Sequence, residues 1–209
     1  MGILKRLLGI KEESTPNSVS IAGESLDQER ITNMFERQPS FSLVAIPGDV
    51  ESDIPMFLSD CGYETLSTGK FSGPFAELYA GIEQPCGPEN SIVQKAWFMV
   101  DGHTILLDPE MVLVTKTANL ADLAAKVADT VKVAIWERVS ESVALIEIGA
   151  QGILRQTWYC QGEKSDEAIN GYSEIANQPN SEGLKLALEK YGLSDDLFSN
   201  VDSNVIELR

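Results

Sequence analysis

The chain is predicted to fold as an α+β protein: two helix-led halves with antiparallel strands, able to share one core. Three observations predict this. Apolar runs at 92–100 and 104–107 flank Asp101-Gly102, a pair suited to the positive φ angles of a tight turn, so a hairpin is expected near 92–107. Further apolar runs at 131–139, 143–148 and 153–160 follow one another across short connections, which reads as an antiparallel meander near 131–160. The strict strand–helix alternation that would argue for a parallel sheet is missing.

The remaining elements follow in chain order. In residues 1–11, Ile3, Leu4, Leu7, Leu8 and Ile10 gather near one helical face, with Lys5, Arg6 and Lys11 off it. This piece is expected to be a short amphipathic helix in which Leu4, Leu7 and Leu8 dock on the protein's own domain or on a second copy. Residues 12–23, with Pro16, Gly23 and several serines, read as a linker. The first half, 24–115, opens with a capping-box pair, Ser25 and Gln28, ahead of a helical stripe of Leu26, Ile31, Met34 and Phe35. Residues 41–46 then read as a buried strand closed by Pro47-Gly48. Ile54, Phe57 and Leu58 suggest a short helix that Gly62 stops. A strand is expected at 63–67. The glycines and prolines of 68–90 predict loops, with one strand around 76–82. After the hairpin, residues 111–115 are expected to add a strand.

The second half, 116–209, begins with Leu120, Leu123, Ala124 and Val127, the stripe of a helix over 119–130 capped by Asn119 or Thr117. The meander follows. A helix is expected at 181–191, between Ser181 as its cap and Gly192 as its stop, and a last short strand at 205–208.

Composition narrows the function. Of 209 residues, 32 are acidic and 16 basic, for a formal net charge of −16. Duplex binding depends on Lys and Arg neutralising phosphates, so nucleic acid is not an expected partner. A basic protein suits the field of this chain better. Hydrophobic residues make up 43% of it, enough to fill a sizeable core. The opening MGILKRLLGIKEES interrupts its apolar run with bases and lacks a small-residue cleavage site, unlike a secretory signal. Arg6 stands where a myristoylation signal needs Ser or Thr. No stretch approaches the roughly 18 apolar residues of a membrane span. A bacterial cytoplasm is the expected address.

Chemistry-bearing residues are scarce. Asp101, His103, Asp108 and Glu110 form the strongest candidate cluster, since carboxylates and an imidazole can ligate a divalent metal or share acid–base work in hydrolysis. Their spacing matches no metalloprotease signature, and the hairpin turn alone accounts for Asp101-Gly102. Cys61, Cys86 and Cys160 lack the close pair that marks a zinc site and read as buried thiols. No nucleophile elbow and no phosphate loop occurs. No metal and no cofactor is therefore expected. Residues 48–110 carry only Lys70 and Lys95 as bases against eleven acids, so Glu77, Glu83 and Glu89 are expected to border a negative surface for a basic partner. Trp158 and Tyr159, on opposite faces of one strand, offer a core contact and an interface anchor.

Small size, acidity and little catalytic chemistry together make the composition similar to that of bacterial secretion chaperones and toxin-neutralising immunity proteins. The resemblance implies partner binding rather than catalysis.

Overall fold

A computed structural model describes residues 40–82, 92–137, 142–160, 163–164 and 200–209. The expected helices at 1–11, 24–38 and 181–191 and the linker at 12–23 lie outside the described residues. The elements run β1 (Ser40–Pro47), α1 (Ile54–Asp60), β2 (Thr65–Pro74), α2 (Phe75–Ile82), β3 (Val93–Val100), β4 (His103–Leu107), α3 (Thr117–Val127), β5 (Val131–Glu137), β6 (Ser142–Gly149), β7 (Gly152–Cys160), β8 (Glu163–Lys164) and β9 (Asn200–Leu208). Among the described residues one nine-stranded antiparallel sheet takes the strands in the order β2-β9-β3-β4-β1-β5-β6-β7-β8. The protein is α+β and mostly sheet.

The two halves contribute to this single sheet. β1 joins them by pairing with β4 on one side and β5 on the other. β9, from the end of the chain, lies between β2 and β3 of the first half. The central strands are buried on both sides, which explains why β1 and β4 read as continuous apolar runs instead of alternating. On one face Val44, Ile46, Trp97, Leu106, Val131, Val133, Ile135, Ile146, Ile148 and Ile206 form a core with Ile54, Phe57 and Leu58 of α1 and Leu120, Leu123 and Ala124 of α3. On the other face Leu43, Ala45, Phe98, Ile105, Leu107, Ala134 and Leu145 are buried as well. There α2 packs against β2 and β3, with Phe75 6.1 Å from Phe98 and 6.0 Å from Tyr79 between ring centroids.

Several elements differ from expectation, each for a local reason. Residues 68–74 continue β2 despite Gly69, Gly73 and Pro74. An edge strand needs only one burying contact, here Phe71, and tolerates proline at its end. Residues 75–82 form a helix and not a strand, because Phe75, Leu78, Tyr79 and Ile82 fall at i, i+3, i+4 and i+7 and all four are buried. Residues 111–115 turn instead of extending. The side chain of Asp108 accepts the Leu113 N–H at 2.7 Å, Met111 adopts φ +55°, and a 3₁₀ turn follows at Leu113–Thr115. α3 starts at Thr117 with no side-chain cap, and Asn119 donates to the Asp60 carbonyl at 3.0 Å instead. The hairpin forms on Asp101 (φ +49°) and Gly102 (φ +73°) as expected. Among the described residues no helix is long and apolar enough to cross a membrane.

Candidate functional site

Lys95 sits on β3 with its side chain fully buried. A buried ammonium is costly unless it is paired and hydrogen-bonded. The hairpin register solves this: Ala96 pairs with Leu107, so Lys95 falls beside Asp108 at the end of β4. Lys95 donates to the Asp108 carboxylate, also fully buried, and to that of Glu110, whose side chain is 27% exposed. The Tyr63 ring lies over the ammonium, 5.3 Å from Nζ to its centroid. Asp108 anchors the turn as well. Its N–H donates to the Ser42 carbonyl at 3.0 Å, its carbonyl accepts the Met111 N–H at 2.9 Å, and its second carboxylate oxygen holds Leu113. Tyr63 is placed by its own N–H to the Leu58 carbonyl at 3.1 Å. Paired backbone bonds between Glu64 and Arg209, at 2.8 and 2.9 Å, tie this loop to the end of β9.

Electrostatics hold the charge on Lys95. Burial pulls the Lys95 ammonium toward neutrality, but the Asp108 and Glu110 carboxylates outweigh it, leaving its pKa above the usual lysine value. Burial pushes the Glu110 carboxyl up against the opposing effect of Lys95. Burial likewise raises the Tyr63 phenol, and it pushes the nearby Cys61 thiol up to about 11. A lysine held as ammonium is a poor nucleophile, and so is a cysteine held as thiol. The cluster spends its hydrogen bonds internally, holding the β4–α3 connection onto the sheet.

The four candidates for hydrolysis are divided by β4. Asp108 and Glu110 converge on Lys95 at one end. Asp101 and His103 lie at the other, five residues along the strand from Asp108 and so roughly 17 Å away. There His103 Nδ1 lies 3.0 Å from the Asp101 carbonyl oxygen. Among the described residues no group of three His, Cys, Asp or Glu side chains is placed to hold a metal ion.

The hairpin end gathers other acids. Gly48 N–H donates to the Gly102 carbonyl at 2.8 Å. Thr104 Oγ1 accepts the Val50 N–H at 3.0 Å and donates to the Gly48 carbonyl at 2.9 Å. The loop carrying Asp49 and Glu51 is thereby held beside Asp101. Asp49, Asp101 and Asp129 are exposed, Glu51 is half-buried, and Asp53 pairs with Lys126 at 3.1 Å. Glu77 is exposed on α2. Trp158 and Tyr159 lie in β7, opposite Ala144 and Val143 of β6. Glu83, Glu89, Cys86, Leu4, Leu7 and Leu8 lie outside the described residues, and Cys61 is a buried free thiol.

Sequence reasoning missed the role of Lys95, although the signal was present. Counting outward from the Asp101-Gly102 turn puts Lys95 opposite Asp108, a charge pair on a strand otherwise rich in apolar residues. No protein-family model, curated protein or solved structure matches the chain.

Proposed function

We propose that this is a non-catalytic acidic interaction protein of the cytoplasm, working without a cofactor, whose partner is a basic protein in the manner of a chaperone, adaptor or immunity protein. The observation that carries the reading is how charge is divided. Lys95 and Asp108 are buried and paired with each other, and Lys95 also holds the part-exposed Glu110; Asp49, Asp101, Asp129 and Glu77 are exposed on a chain of net charge −16. Exposed acids on a rigid sheet end steer a cationic partner and fix its orientation without needing reactive groups. Glu83 and Glu89 are assigned to the same partner in this proposal, and Trp158 and Tyr159, whose backbone lies toward the other end of the sheet from Asp101, are assigned to a separate aromatic contact with it.

Capture from the source cell at low and at high ionic strength tests it. A basic protein should bind at low salt and elute as salt screens the exposed charges. Capture that ignores ionic strength would argue against an electrostatic partner surface.

A further inference from the structure

We infer that the outer edge of β2 pairs with β2 of a second copy of this chain, antiparallel and centred on Phe71. Among the described residues β2 has β9 as its one strand neighbour, and no described strand pairs with the backbone groups along its other side. The strand is ten residues long, against a mean of about 5–6. Among the described residues the opposite end of the sheet carries the two-residue β8. Thr65, Leu66, Thr68, Lys70, Ser72 and Pro74 are exposed along the open edge. The features that discourage edge pairing are confined to its ends, a register shift between Thr65 and Ser67 and the terminal Pro74, apart from the single charge of Lys70.

Charge selects the occupant and the register. β2 contains no acid, in a chain with 32 of them, so two copies meet here without the repulsion that opposes contact elsewhere. Within one copy Lys70 lies beside Asn204 of β9, and Ser72 lies beside Asp202. Centring the pair on Lys70 would set like charges face to face. Centring it on Gly69 would set Lys70 opposite Thr68, behind which stands the apolar Ile206. Centring it on Phe71 sets Lys70 opposite Ser72 of the second copy, with that copy's Asp202 directly behind, two strand spacings or about 10 Å away between Cα atoms. The twofold axis repeats this contact, and it brings the two Phe71 residues opposite each other on the other face.

Sedimentation of the full chain from 1 to 500 µM tests the pairing. The wild type should show a monomer–dimer equilibrium. Lys70→Glu and Ser72→Lys should each weaken it about tenfold, since each alteration acts twice per dimer. The double variant Lys70→Glu/Ser72→Lys should restore it, because the acid introduced at 70 then faces the lysine introduced at 72. Both sites are exposed, and far-UV circular dichroism checks that the variants fold; Lys70→Gln serves as a milder alternative. A wild type that stays monomeric overturns the inference. So does a dimer indifferent to the single changes, or one that the double variant fails to restore.

Discussion

Replacing Lys95 by methionine keeps most of the side-chain volume and removes only the charge. It leaves the fully buried Asp108 carboxylate, and Glu110 beside it, without their cation. Removing one partner of a buried ion pair typically costs about 3–5 kcal/mol, because the remaining charge stays desolvated. Here the Tyr63 ring also loses the ammonium above it. Glu110 is partly exposed and finds some relief in water, so a value near the middle of the range, about 4 kcal/mol, is expected. Against a total stability of about 5–15 kcal/mol this is a large fraction. With a urea slope of about 2 kcal/mol per molar, the unfolding midpoint should fall by about 2 M at pH 7. The deficit should shrink toward pH 4, where the Glu110 carboxyl, pushed up by burial, takes up a proton. Adding Asp108→Asn, which keeps an acceptor for the Leu113 N–H, should recover at least about 1 kcal/mol relative to additivity. A Lys95→Met midpoint indistinguishable from wild type at pH 7 would refute the view that this cluster holds the fold together.

Other outcomes follow from the same structure. The folded-state pKa of Lys95 is raised, so the stability its pairing contributes should be complete below about pH 10.4 and lost as pH rises through the folded value; alkaline titration of wild type against Lys95→Met reads this difference. For Glu110 the folded state holds its proton more tightly than the unfolded state. Ionisation therefore costs stability as pH rises from about 4.3 through the folded value, and Glu110→Gln should lie within about 1 kcal/mol of wild type and compare better at pH 7 than at pH 4 in urea unfolding. Ala128 ends α3 in the left-handed region at φ +55°, with its N–H and that of Asp129 closing the last turn, so Ala128→Gly should stabilise by about 0.5–1 kcal/mol in thermal unfolding. Thr104→Val should cost about 1–3 kcal/mol by stranding the buried Val50 N–H, and amide exchange of residues 48–51 should speed up with it.

How much of this was legible in the sequence depended on the range of the interactions involved. Local signals worked: the Asp101-Gly102 turn fixed the β3–β4 register, the stripe of α3 was plain, and the three meander strands were each marked by apolar runs. Signals that depend on distant chain failed. β2 is polar and glycine-containing, and it is a strand because β9, over a hundred residues away, supplies its hydrogen bonds. The Phe75–Ile82 pattern had helical spacing, yet the surrounding glycines and prolines masked it. Asp101, His103, Asp108 and Glu110 looked like one cluster because they lie within ten residues of each other. An extended strand puts such neighbours at opposite ends of the sheet, whereas Lys95 and Asp108, thirteen apart, meet because a hairpin folds between them.

The most direct test of the central claim, that exposed acids rather than the Lys95 cluster carry the function, compares capture by the wild type with capture by Asp49→Asn/Asp101→Asn/Asp129→Asn at low ionic strength. The account predicts that the wild type retains a basic protein and releases it at high salt, and that the triple variant, folded as well as wild type, retains markedly less. Recovery of no protein partner at any ionic strength, together with turnover by the purified chain in a broad hydrolase screen, would contradict it.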